Sequence, residues 1–191
     1  MELDKFIKIY DNVFKPEAIS SLIVYLNNKC NFEQARIIGN NQGKNIEDRS
    51  MRNTKQTKFD IGTMSGVHWL NFTKFLVHNV FLKYNQEYPT AACQTLEVTP
   101  LLYEEGGFYK IHSDHHATIP RTISVIIFLN NDYEGGELNF HDITDPNKGK
   151  IFKTIKPHPG RIVMWPSNFL YPHSVSTVTK GRRYTLVSWI L

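Results

Sequence analysis

The sequence predicts an α+β domain, mainly β, in which N-terminal helices pack on one face of a β core. Three observations predict it. Helical periodicity is confined to the first half of the chain. After residue 93, short apolar segments recur, each closed by a turn signal. Nothing in the 191 residues marks a linker, an internal repeat or a low-complexity tract, so 1–191 reads as one domain.

The elements follow in order. Ile7 to Phe14 reads as a short strand and turn. Pro16 suits a first helical position, and Ala18, Ile19, Leu22, Ile23 and Leu26 continue at helical spacing, which predicts a helix over 16–28. Residues 38–58 are polar and charged, with Arg49, Arg52, Lys55 and Lys58. They read as an exposed loop or strand pair, or as a flap over a substrate site. Trp69, Phe72, Leu76, Val80 and Tyr84 predict a second helix over 65–87, ended by Pro89. Apolar segments then fall at 95–103, 107–112, 121–129, 136–141, 151–155, 161–165 and 183–190. Such a series fits a β-sandwich, jelly roll or barrel. Residues 1–93 are thus helical support and 94–191 the β core.

Composition bounds the function. Hydrophobic residues are 41% and charged residues 21%, the balance of a globular protein. The net charge of +4 is spread along the chain, which argues against a nucleic-acid partner. Two cysteines, Cys30 and Cys93, can form neither a disulfide framework nor a four-thiolate zinc site, and read as small buried apolar residues. The opening Met-Glu-Leu-Asp-Lys-Phe is too charged for a signal peptide, and no apolar run nears the roughly 18 residues of a membrane span. A soluble cytoplasmic protein is expected.

The chemistry gathers around His112-Ser113-Asp114. On a strand, residues i and i+2 share a face, so an imidazole and a carboxylate would project together. His173, far along the chain in Tyr-Pro-His-Ser-Val, supplies a candidate third ligand. Two histidines and one carboxylate leave the other metal positions open, the arrangement of non-haem Fe(II) oxygenases. Arg183 opens a strand-like run, Arg-Tyr-Thr-Leu-Val-Ser-Trp, and an inward guanidinium there requires an anionic partner such as a dicarboxylate. His115 and His116 read as loop residues, and His141 and His158 as surface residues.

The stretch Tyr103-Glu-Glu-Gly-Gly-Phe-Tyr109-Lys-Ile-His112-Ser-Asp114 resembles the Tyr-x-x-Gly-Gly-x-Tyr-x-x-His-x-Asp segment of the prolyl 4-hydroxylase-like 2-oxoglutarate and Fe(II)-dependent dioxygenases. Phe128-Leu-Asn130, Tyr133 to Phe140, Pro159-Gly-Arg161 through Trp165, His173 and Arg183 extend that resemblance to about 95–191. It implies a double-stranded β-helix, a distorted jelly roll. It implies His112, Asp114 and His173 as iron ligands, Arg183 on the distal carboxylate of 2-oxoglutarate and Tyr103 as a hydrogen-bond donor to that cosubstrate. Tyr109, Arg121 and Trp189 match positions lining the peptide site, with Trp165 a further wall. Hydroxylation of a proline-containing peptide or protein, with O2 as cosubstrate and ascorbate as reductant, is the implied activity. Asp114 argues for hydroxylation over halogenation, since halogenating relatives carry a small residue there. The same chemistry on nucleic acid or a small molecule is an alternative. Alkylation-repair relatives, however, usually carry a second arginine six residues after the first, where this chain has Trp189. A non-catalytic jelly-roll binding module is the other alternative.

Overall fold

The computed structural model describes residues 2–38, 45–92, 94–95, 97–117, 119–145 and 149–191. Cys93 lies outside them, as do residues 39–44 of the polar stretch. A 3-10 turn (Leu3–Phe6) and β1 (Lys8–Tyr10) lead into α1 (Pro16–Lys29). Five two-residue strands follow: β2 (Glu33–Gln34), β3 (Ile37–Ile38), β4 (Asn45–Ile46), β5 (Arg52–Asn53) and β6 (Lys55–Gln56). After α2 (Met64–Glu87) come β7 (Thr99–Tyr103), β8 (Phe108–His112), β9 (Ile123–Phe128), β10 (Glu134–Gly135) and β11 (Leu138–His141). The chain ends with β12 (Ile151–Ile155), β13 (Ile162–Pro166), β14 (His173–Val175), β15 (Val178–Lys180) and β16 (Arg183–Ile190).

Antiparallel pairing builds a seven-stranded sheet, β1-β13-β9-β16-β7-β6-β2, facing a five-stranded sheet, β12-β11-β14-β8-β5. This is the jelly roll. Both helices lie within a residue or two of the periodicity that predicts them. Strands β14 and β15 were not expected: 173–180 reads His-Ser-Val-Ser-Thr-Val-Thr-Lys, with no continuous apolar run to mark it.

The large sheet is buried on both faces, and its alternation sorts two environments. Val125, Ile127, Ile162, Met164, Leu186 and Ile190 pack outward on Leu22, Leu26, Val77, Val80 and Phe81 of the helices. Ser124, Ile126, Phe128, Thr185 and Arg183 occupy the alternate positions and face the five-stranded sheet. Being covered twice, β9 is buried at every residue. Tyr184 ties the layers by donating to Asn27 Oδ1 at 2.7 Å. The Thr63 hydroxyl caps α2 by accepting from the Gly66 N–H at 3.2 Å. A Cβ at residue 66 would lie 1.9 Å from the Asp60 carbonyl oxygen, so only glycine fits under this cap.

The 38–58 stretch is not one exposed loop. β5 joins β8 of the small sheet and β6 joins β7 of the large one, so this segment links the two sheets. Thr54, between them, is buried and donates to the Leu102 carbonyl at 2.9 Å. β3 and β4 pair with each other as a separate two-stranded sheet.

The N-terminal strand is clamped to the jelly roll by a bidentate pair. Arg161 donates from Nε and Nη2 to the two Asp11 oxygens, each at 2.8 Å. That hydrogen bonding holds the Asp11 carboxyl below its ordinary value of 3.8, against a smaller opposing effect of burial. The clamp therefore contributes fully above that ordinary value and is lost as pH falls through the lowered one. Asp11→Asn is expected to cost up to about 1 kcal/mol at neutral pH and to narrow its deficit in acid, which urea denaturation at the two pH values measures.

Candidate active site

Three side chains meet where β8 and β14 pair. His173 is the register partner of His112, so chain-distant imidazoles sit side by side. Their rings lie 4.3 Å apart between centroids. Asp114 joins them from a bend. β8 ends at His112, so the carboxylate is not delivered by strand alternation as expected. The bend is held by the His115 N–H donating to the Ser167 carbonyl at 2.9 Å and by Arg121 Nη1 donating to the Asp114 carbonyl at 3.2 Å. One ligand atom from each of His112, Asp114 and His173 falls within 4.8 Å of the others. Each Nε2 is 3.6 Å from an Asp114 oxygen.

Both imidazoles are oriented the same way. His112 Nδ1 lies 2.9 Å from the Lys110 carbonyl and His173 Nδ1 lies 3.1 Å from the Tyr171 carbonyl. A carbonyl only accepts, so each Nδ1 carries the proton and each Nε2 presents its lone pair to the common centre. Burial, with His112 alongside, pulls His173 down to about 4 against the Asp114 carboxylate, which favours the neutral ligand form. Burial opposes the Asp114 charge, but His173 and His112 in their cationic form, with the Ser124 hydroxyl, outweigh it and hold the carboxyl well below the usual range, a role a bound cation would take over. Neutral histidines and an ionised aspartate are the states a divalent cation binds. The donor set fits Fe(II).

The walls restrict the rings. Tyr109 stacks on His112 with centroids 3.6 Å apart, and Trp165 meets His173 edge-on at 5.0 Å. Trp165 is itself buried, so it is a floor under His173 rather than an open groove wall. Tyr109, Arg121 and Trp189 line a cavity of about 930 Å³ whose walls also include His112, Asp114 and His173. The Arg121 guanidinium lies 3.7 Å from the Trp189 ring centre.

Arg183 is fully buried on the same inward face of β16 as Trp189. It packs over the Tyr103 and Phe128 rings at 4.7 Å and 5.2 Å. Nη1 donates to Thr185 Oγ1 at 3.3 Å, while Nε and Nη2 have no partner among the described residues. A guanidinium stripped of water with two free N–H groups fits the carboxylate of a bound dicarboxylate. The cavity lining includes Tyr103, over which Arg183 packs, but not Arg183 itself.

Two residues outside the expected set matter. Ser124 donates to Asp114 Oδ2 at 2.6 Å and lies 2.7 Å from Ser167 Oγ, and both serines are buried. A serine inside Ile-Ser-Val-Ile-Ile-Phe was the available signal. Arg52 lies over the other side of Tyr109, 4.7 Å from its ring centre. His141, expected at the surface, is buried on β11, and its Nε2 lies 2.8 Å from Ser174 Oγ, because neighbouring strands cover both edges of β11. His158 is exposed as expected.

Fold and site together define a jelly-roll protein with a two-histidine, one-carboxylate centre. Residues 98–191 match the profile of the 2OG-Fe(II) oxygenase superfamily. Within it the similarity runs to prolyl hydroxylases. Prolyl 3-hydroxylase 3 of Homo sapiens is 39% identical over 69 residues, which is 36% of this chain and 9% of that protein. A PKHD-type hydroxylase of Psychrobacter sp. is 35% identical over 127 residues, 59% of this chain and 46% of that one. The chain thus spans less than half the length of each of these relatives. A prolyl hydroxylase from Trichoplax adhaerens, solved with a hypoxia inducible factor peptide fragment, shares the fold with TM-score 0.77 and 18% identity over 97% of this chain and 83% of that one. A Pseudomonas putida prolyl-4-hydroxylase shares it with TM-score 0.69 and 19% identity over 97% and 91%. No helix among the described residues is long and apolar enough to cross a membrane.

Ser124→Ala removes the hydroxyl that orients Asp114. Co(II) affinity is expected to fall roughly 10-fold, read by calorimetric titration, with the fold retained.

Proposed function

We infer that this chain is a 2-oxoglutarate- and Fe(II)-dependent dioxygenase that hydroxylates a prolyl residue, most simply at C4, of a peptide or protein. The observation that carries the reading is the pairing of the His112–Asp114–His173 cluster with a fully buried Arg183 whose Nε and Nη2 make no well-formed hydrogen bond among the described residues. One half holds a divalent metal, and the other demands an anion.

In this reading His112 and His173 bind iron through Nε2, and Asp114 binds through a carboxylate oxygen. The iron supplies dioxygen activation coupled to decarboxylation of 2-oxoglutarate. Arg183 holds the distal carboxylate, and Tyr103, buried beside it, donates to the cosubstrate. Ser124 keeps one Asp114 oxygen engaged and so orients the other toward the metal. Trp165, Phe140 and Leu138 exclude water from the floor. Tyr109, Arg121 and Trp189 form the peptide-facing wall, where Tyr109, held between His112 and Arg52, presents its edge, Trp189 packs on a pyrrolidine and Arg121 donates to backbone carbonyls. The β3–β4 hairpin contributes Ile37, Asn45 and Ile46 to the same cavity and is the segment suited to close over a peptide. Ascorbate as the reductant of the iron, and a reducing cytoplasmic setting, belong to the same reading.

The test is succinate production from 2-oxoglutarate with Fe(II), ascorbate and a panel of proline-containing peptides. Peptide-stimulated turnover, with a mass gain of one oxygen on proline, is the expected result, and His112→Ala/Asp114→Ala is expected to abolish it. Turnover that no peptide stimulates would remove the prolyl substrate and keep the oxygenase. Absence of turnover in protein that binds Fe(II) would favour a binding module.

A further inference from the structure

A second polar group is buried beside Arg183. Tyr133 stands in the turn between β9 and β10, and its hydroxyl is buried with no hydrogen-bond partner among the described residues. Phenol and guanidinium share one niche. A Cβ at Gly136 would lie 2.9 Å from Arg183 Cδ and 3.1 Å from the Tyr133 ring edge. Gly136 also has φ +67, so a side chain here is excluded by conformation as well as by space, and the room goes to the arginine stem and the phenol.

The niche is rich in donors. Arg183 Nε and Nη2 and the Tyr133 hydroxyl make no well-formed hydrogen bond among the described residues; the phenol oxygen feels the pull of the neighbouring guanidinium, but no acceptor takes up the phenol's own proton. Leaving three polar groups dry and unpaired is costly. A carboxylate removes the cost, since its two oxygens accept up to about four hydrogen bonds and its charge balances the guanidinium.

We propose that Tyr133 is a second anchor of the cosubstrate's distal carboxylate, donating its hydroxyl to the anion that Arg183 grips. This rests on the reading of the site as one for 2-oxoglutarate. Burial raises the phenol above its ordinary value, against the pull of Arg183, so at neutral pH it keeps the proton it donates. A two-residue anchor at the closed end also sets ligand length: a 2-oxo acid without a distal carboxylate engages the metal end alone and leaves the niche unpaired.

The experiment uses the full chain loaded with Mn(II) and two probes followed by calorimetry. N-oxalylglycine carries a chelating end and a distal carboxylate, whereas oxalate carries the chelating end only. Tyr133→Phe is expected to weaken N-oxalylglycine about 10-fold and to leave oxalate unchanged. It is also expected to keep or raise the melting temperature without ligand, because it deletes an unpaired buried hydroxyl. Unchanged N-oxalylglycine affinity overturns the proposal. Equal weakening of both probes, or a lowered melting temperature with no selective loss, also overturns it and makes Tyr133 a structural residue. Wild-type protein that binds Mn(II) and oxalate but not N-oxalylglycine overturns the reading of the site itself.

Discussion

The candidate site depends on one strand register. β14 is three residues long, and its antiparallel pairing with β8 sets His173 opposite His112. A slip of one residue would turn His173 to the other face of the sheet and dissolve the cluster. The register is held from the other edge as well, where Phe140 of β11 is the partner of His173. Each histidine then uses the carbonyl two residues before it to hold its own ring, Lys110 for one and Tyr171 for the other. The same local device on two strands points both Nε2 atoms to one spot, and Asp114 needs only a short bend to reach it.

The large sheet supports this centre through its alternation. One face is an apolar bed for α1 and α2, which fixes the sheet as a rigid wall. The other face carries Ser124, Thr185 and Arg183 at positions where apolar residues would pack more cheaply. Polar groups placed in the interior of strands cost stability, and here they share one face: Ser124, opposite Trp189, stands at the metal-binding end, and Thr185, opposite Phe128, stands at the other end beside Arg183. Ser124 meets Asp114, whereas Arg183, packed on rings, finds one well-formed acceptor in Thr185 Oγ1. The imbalance of donors over acceptors sets the chemistry of the ligand more sharply than the shape of the cavity does.

Much of this was legible in the chain. Helices α1 and α2 follow from their apolar spacing, and β9 and β16 from continuous β-branched and aromatic runs. His112, Asp114, His173 and Arg183 were each legible by residue type and spacing. Less was legible where an element gains its stability from neighbours alone. β5 and β6 are polar two-residue strands that exist because β8 and β7 pair with them, and so 38–58 read only as an exposed loop or strand pair, or a flap, with no sign of which sheets it would join. His141 looked exposed for want of any sign that β12 and β14 flank its strand.

Residue type belongs to the sequence. Two imidazoles, a carboxylate and a guanidinium define which ligands can bind, because metal and anion affinity are properties of the groups themselves. Their meeting belongs to the tertiary structure alone. Long-range pairing sets His173 against His112, packing strips the water from Arg183 and brings the Tyr133 hydroxyl near it, and a bend tied to Ser167 and Arg121 delivers Asp114. No local pattern encodes those arrangements, because each is fixed by a partner distant in the chain.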